Sequence, residues 1–283
     1  MARKADIQAK TSQTGRKADA AKTSVENGVQ ANSEAVKEKT DDKDTSDTTK
    51  KTETTEERIA RVRQEAVTAG YPEKVIELLD KNPETVQFVE DYGKKKDQAP
   101  AATVEAEDGY SGMFPEILQW DERWGYASYG TSIIASSGCG PTCMSMVIVG
   151  LTGDVTVTPY RMAKYSEERG YIDESNNTYW AMLESAASDW GLRCQETMLD
   201  ESSLAAELQA GHPVVCSMLP GDFTDVGHFL VLTGYKDGKV TLNDPFSKAN
   251  SEKGVGVCGH SGSDPADVGI FTTILDLVCF MKK

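Results

Sequence analysis

The sequence predicts an α+β domain of about 170 residues behind a polar N-terminal region. Three observations lead there. Helical patterns come first and strand patterns follow, so the two classes are segregated along the chain. A cysteine, Cys139, stands where the loop in "SSGCGPTCMSM" (136–146) enters an apolar helix. A histidine and an aspartate, His228 and Asp244, sit at one end of a strand pair.

The bulk numbers narrow the function class. The chain has 283 residues, a formal net charge of −15 and a pI near 4.7. An acidic surface repels phosphate backbones, which argues against nucleic acid as a partner. Six cysteines are too few for a disulfide scaffold. No run of 18 apolar residues exists, so no transmembrane helix is expected. The first twenty residues carry positive charge without an apolar run, so a complete secretory signal is not expected in this sequence.

Residues 1–53 are polar and charged, with almost no large apolar side chain. Such a stretch buries too little surface to offset its ordering entropy and reads as a disordered tail. Residues 54–95 read as a small helical module. Thr54 and Glu57 form a capping-box pattern, Ile59, Val62, Ala66 and Val67 recur at helical spacing, and Gly70 is a stop. Pro72 opens a second helix with Val75, Ile76, Leu78 and Leu79. Asn82-Pro83 opens a third, lined by Val86, Val89 and Tyr92. These apolar stripes need a surface, either the module's own hairpin core or the main domain, and a partner-binding set of helices is the alternative. Residues 96–112 read as a linker and 113–283 as the main domain.

Within the main domain, Thr178 is the expected N-cap of a helix reaching Ala187. "ESSLAAELQAG" reads as another helix, ended by Gly211. "PVVCSML", "HFLVLTGY" and "KVTLNDP" read as strands.

Cys139 and Cys143 admit three chemistries. A redox pair normally has two intervening residues, and here there are three. Side chains one helical turn apart rarely meet disulfide geometry. A zinc site needs further paired ligands, whereas Cys194, Cys216, Cys258 and Cys279 are scattered singly. The third reading is one nucleophile, Cys139, at a helix N-terminus that favours thiolate, with Cys143 a buried bystander. Taken alone, Cys139 is better explained as a buried cysteine at a helix start.

A nucleophilic thiol needs a base, and the base needs an orienting group. His212, between Gly211 and Pro213, reads as a surface turn residue, and His260 lies in a Gly/Ser loop without a clear role. His228 opens a strand and Asp244 ends the next. A three-residue loop, Lys236–Gly238, would pair Tyr235 with Lys239 and put His228 opposite Phe246. Asp244 would then be a diagonal neighbour on the same face, about 7–8 Å away at the backbone. A two-residue loop at Asp237-Gly238 would put the two on opposite faces.

The ordered motifs "QWDERWGYASYG", "SGCGPTCMSMV", "LTGDVTVTP", "GHFLVLTGY" and "LNDP" resemble the bacterial cysteine peptidases related to the bacteriocin-processing, double-glycine leader peptidases. The likeness spans roughly residues 113–247. "GYPEKVIELLDKNPETVQFVEDY" is also similar to segments that precede such domains in surface proteins of Gram-positive gut bacteria. The resemblance implies a papain-like fold, a catalytic Cys139, His228 and Asp244, and Gln119 in the oxyanion hole. It implies a peptide or protein substrate, no metal or organic cofactor, and an extracellular or cell-surface location. The expected absence of a complete secretory signal departs from the location that the family pattern implies, and two further features depart from that pattern. Gln119 lies 20 residues before Cys139, a longer spacing than usual. The segment after "NDP", through 253–283, lacks the expected Trp-containing close. The alternatives are a non-catalytic binding module on the same fold, or an amidase or transglutaminase-like acyl transferase with the same triad.

Overall fold

The structure, a computed structural model, describes residues 53–105, 110–111, 114–221, 223–253, 255–256 and 274–283. The expected tail before residue 53, together with Cys258, His260 and most of 253–283, lies outside the described residues.

The helical module starts as its sequence pattern requires. Helix α1 (Thr55–Thr68) is opened by a capping box in which Thr54 and Glu57 satisfy each other's backbone N–H groups. Two single turns, Glu73–Ile76 and Leu78–Lys81, follow. Asn82 caps the short 3₁₀ turn Pro83–Thr85 by accepting from the Glu84 N–H at 2.9 Å. Helix α2 (Val86–Lys95) continues from that turn, and Arg58 and Arg61 of α1 both pair with Glu90 of α2. The apolar stripe, including Val62, Leu78, Phe88 and Val89, is buried together with Tyr126 and Ala135 of the main domain. Phe88 and Tyr126 stack with ring centres 4.1 Å apart, and the Tyr126 hydroxyl donates to Phe88 O at 2.9 Å.

The main domain carries helix α3 (Cys139–Thr152), α4 (Pro159–Glu168), α5 (Ala181–Asp189) and α6 (Glu201–Gln209). Among the described residues, six strands form one antiparallel sheet: β1 (Leu192–Glu196), β2 (Val214–Met218), β3 (His228–Lys236), β4 (Lys239–Asn243), β5 (Val255–Gly256) and β6 (Ile274–Lys282). Their spatial order is β1-β6-β2-β3-β4-β5. Side chains alternate across the sheet. Val215, Val231, Val278 and Phe280 join one core with α3, α4 and α5, whereas Val214, Cys216, Leu230, Leu232 and Cys279 join a second with α6. Helix α3 is buried on nearly all sides from Gly140 to Leu151, as a helix apolar all round must be.

Three expectations need correction. The β3–β4 hairpin closes with a two-residue loop, because Lys236 pairs with Lys239. Asp237 and Gly238 both take positive φ, 52° and 76°, as the mirror-image turn favoured in hairpins demands. The opposite-face consequence does not follow, because the register shifts between Leu232 and Gly234. One extra residue at this bulge reverses the alternation, so Leu232 and Tyr235, three apart, pack on the same core. Beyond the bulge Val231 pairs with Asn243, so His228 and Asp244 come into phase after all. Second, Thr178 is not the cap of α5, which begins at Ala181 without a side-chain cap. Its hydroxyl is instead hydrogen-bonded at 2.7 Å to that of Tyr129. Third, His212 is not a bare surface residue: half-buried, it pairs through Nδ1 with Glu207 at 2.8 Å.

Candidate active site

Cys139 is the first residue of α3 and is half-buried, whereas Cys143, one turn further in, is fully buried. Both are free thiols. The close approach of the Thr178 segment requires Gly140 behind Cys139, because a Cβ there would lie 2.9 Å from three side-chain atoms of Thr178. Burial opposes a thiolate at Cys139. A hydrogen bond to His228, the His228 charge and the backbone N–H groups of Phe229 and Gly140 outweigh it and hold the thiol below its ordinary value. Cys143 has no such partners, and burial pushes its thiol well up.

His228 opens β3 and is 9 % exposed. Its Nε2 lies 2.8 Å from Oδ1 of Asp244, which is completely buried. With Nε2 so engaged, Nδ1 is the ring nitrogen left for Cys139. Burial pulls the imidazole down, but the Asp244 charge and hydrogen bond, then Cys139, push it up to about 10. Asp244 also resists burial. The charge and hydrogen bond of His228, the Asn250 side chain and the Phe246 N–H keep its carboxyl below the usual range.

The segment after Asp244 folds back to hold it. The Phe246 and Ser247 N–H groups donate to Oδ1 at 2.8 and 3.3 Å, and Asn250 Nδ2 donates to Oδ2 at 2.8 Å. The Asp244 N–H donates to Ser251 Oγ at 2.9 Å. Asn250 and Ser251 escaped the sequence reading. "DPFS" is nonetheless an Asx-turn pattern, and Ser247 caps the single turn Lys248–Ser251.

Gln119 is 3 % exposed. Its amide nitrogen donates at 2.8 Å to Ala135 O, in the turn Ile134–Ser137 directly before Gly138-Cys139. Its backbone N–H donates at 2.7 Å to Pro245 O, next to Asp244. Gln119 is therefore bound both to the approach to Cys139 and to the aspartate segment, and its second amide hydrogen is uncommitted among these bonds. The structure thus gathers Cys139, His228 and Asp244 into one chain of contacts, with Gln119 tied to both ends of it.

The sequence profile of the Peptidase_C39 like family matches residues 114–256. The chain belongs to that family. Its cysteine helix and its antiparallel sheet, with the histidine opening β3 and the aspartate directly after β4, make the papain-like arrangement that the motifs implied. Solved structures similar to this Peptidase_C39 like chain include the peptidase domain of Streptococcus ComA, a bi-functional ABC transporter involved in a quorum-sensing pathway. That domain is 14 % identical with a TM-score of 0.36, and the match covers 52 % of this chain and 93 % of that one. A putative C39-like peptidase from Bacillus anthracis is 17 % identical with a TM-score of 0.35, covering 52 % and 90 %. A double-glycine motif protease from an AMS/PCAT transporter, solved with a leader peptide, is 14 % identical with a TM-score of 0.26, covering 50 % and 84 %. No curated protein matches the chain. No helix among the described residues is long and apolar enough to cross a membrane.

Proposed function

We propose that this chain is a cysteine peptidase that hydrolyses peptide bonds through Cys139, His228 and Asp244. The observation that carries the reading is the double engagement of His228, by Asp244 on Nε2 and by Cys139 on the other side. The thiol is held low and the imidazole high, so the proton of Cys139 rests on His228 as a thiolate–imidazolium pair.

The thiolate attacks the peptide carbonyl and forms a carbon–sulfur bond. The carbonyl electron pair moves to oxygen, where the Cys139 backbone N–H and the second Gln119 amide hydrogen receive it. The intermediate collapses, the carbon–nitrogen bond breaks, and the imidazolium gives its proton to the leaving amine. Neutral His228 then takes a proton from water, which attacks the thioester. The carbon–sulfur bond then breaks, releasing the acid and leaving the thiolate on Cys139 beside the imidazolium that His228 has already become. Asp244 fixes the imidazole and stabilises its charged form throughout.

A binding module without turnover would be expected to misplace its histidine, and the position of His228 supports turnover instead. An extracellular or cell-surface location in a bacterium belongs to the same proposal and rests on the family likeness. The test is the pH dependence of iodoacetamide alkylation at Cys139, sited by mass spectrometry, together with peptide hydrolysis, in wild type and His228→Ala. Fast alkylation well below the ordinary thiol value of about 8.5, lost in the variant, supports the peptidase. A Cys139 that reacts no faster than Cys194, with no effect of His228, rules it out. Capture of an added amine in preference to water would make it an acyl transferase.

A further inference from the structure

The helical module lies outside the matched family region, yet it grips the segment that holds Asp244. Asn82 Nδ2 donates to Phe246 O at 2.6 Å. The two oxygens of Glu84 accept from the backbone N–H groups of Lys248 and Ala249, each at 2.9 Å. These contacts join residues 164 and 165 positions apart. From the main domain, Trp120 Nε1 shares Phe246 O at 2.7 Å and Gln119 N–H takes Pro245 O. The Phe246 side chain packs against the module's apolar cluster.

We propose that Asn82 and Glu84 are positioning residues for the Asp244–His228–Cys139 array, so that the helical module is a working part of the active site. The inference rests on the peptidase reading above. Asp244 is held by donors at Phe246, Ser247 and Asn250, and all three lie on the stretch whose backbone the module clamps from outside. Neither Asn82 nor Glu84 touches Asp244, His228 or Cys139 in any of these bonds; they act on the backbone that aims the carboxylate. A carboxylate free to turn away from Nε2 stabilises the imidazolium less, and the thiolate with it. Asn82 works through both ends of its amide, and its Nδ2 also donates to Glu84 Oε2 at 3.3 Å. Its Oδ1 caps the Pro83–Thr85 turn, and its Nδ2 reaches across to Phe246. Serine preserves the cap and is too short to reach Phe246.

The test uses the full chain and reads the pH midpoint of Cys139 alkylation by iodoacetamide, with circular dichroism at each pH to follow folding. The variants are Asn82→Ser, Glu84→Ala and Glu84→Gln. Arg63→Ala is the control, because it breaks the Arg63–Asp80 pair inside the module and leaves the clamp alone. Asn82→Ser and Glu84→Ala are expected to raise the midpoint by about one pH unit, a tenfold loss of thiolate below it. Glu84→Gln, which keeps an acceptor, raises it less, and Arg63→Ala leaves it in place. Folded Asn82→Ser and Glu84→Ala proteins with the wild-type midpoint overturn the proposal. An equal shift in Arg63→Ala also overturns it, by reducing the effect to general module stability. Should Glu84→Ala fail to fold, Glu84→Gln decides on the same readout. An ordinary thiol midpoint in wild type defeats the peptidase reading itself, and this inference with it.

Discussion

His228 Nε2 meets Asp244 Oδ1 at 2.8 Å because β3 carries one more residue than β4 between the turn and the site. The Asp237-Gly238 turn alone would direct the two side chains to opposite faces of the hairpin. The bulge near Thr233 restores the phase, and it does so well inside the strand. The contact therefore depends on strand register as much as on the identities of the two residues.

Deleting Thr233 tests that dependence. Without the extra residue the ladder runs from the turn at one register, and either His228 turns to the other face or the turn must be rebuilt. The expected outcome is a folded protein whose Cys139 alkylation profile matches that of His228→Ala. A deletion variant that keeps the low-pH alkylation of wild type would show that the bulge is dispensable.

Asp244→Asn removes the charge that does most to raise His228, while preserving the shape and much of the hydrogen bonding. The imidazole then falls toward its ordinary 6.5, and the thiol, no longer paired with a stable imidazolium, rises. On the proposed function, peptide hydrolysis is expected to drop by roughly two to four orders of magnitude, by analogy with the aspartate of nucleophile–His–Asp triads. Stopped-flow alkylation across pH separates this from misfolding, since a misfolded protein exposes Cys143 as well. A change in hydrolysis smaller than about threefold would remove Asp244 from the mechanism.

Much of the candidate site was legible because its signals are local. Cys139 stands between glycines at a helix start, His228 follows Gly227 at a strand start, and Asp244 precedes Pro245. The module's caps at Thr54 and Asn82 were legible for the same reason. The turn was misread because the bulge leaves only Gly234, a glycine inside a strand, as its mark. Helix α4 had a plain start in Thr158-Pro159, with Thr158 Oγ1 accepting from the Arg161 N–H, and was overlooked. Strand β1, "LRCQE", buries little beyond Leu192 and so lacks an alternating pattern. The Asn82 and Glu84 contacts had no local trace, because their partners are backbone groups far along the chain that only the folded domain brings near.

The same charges predict how stability varies with pH. The folded state raises His228 from 6.5 to about 10, so its contribution is fully present below about 6.5 and is lost as pH rises through about 10. Asp244 is depressed, so its contribution is present above 3.8 and is lost only as pH falls through its folded value. Cys139, also depressed, titrates with the opposite sign to His228 on the alkaline side, and Cys139→Ser removes it. In that background His228 keeps the Asp244 contribution and loses that of Cys139, so Tm is expected to fall as pH rises above 6.5, and to fall less when Asp244→Asn is added. Parallel Tm curves for the two proteins would mean that Asp244 does not raise His228.

Gly140→Ala should damage the site from behind. The added methyl meets Cβ, Cγ2 and Oγ1 of Thr178, all at 2.9 Å, and a β-branched side chain cannot swing all three aside. Thr178 must retreat, and its hydroxyl bond to Tyr129 goes with it. Overpacking of this kind costs about 1–3 kcal/mol. Urea denaturation should show that loss, with a shift in midpoint and little change in slope. Thr178→Gly removes the clashing atoms, so the double variant should be more stable than the sum of the two single losses allows. Simple additivity would place the strain elsewhere. Because the displaced segment abuts the first turn of α3, Gly140→Ala should also raise the alkylation midpoint of Cys139, and Thr178→Gly should restore it.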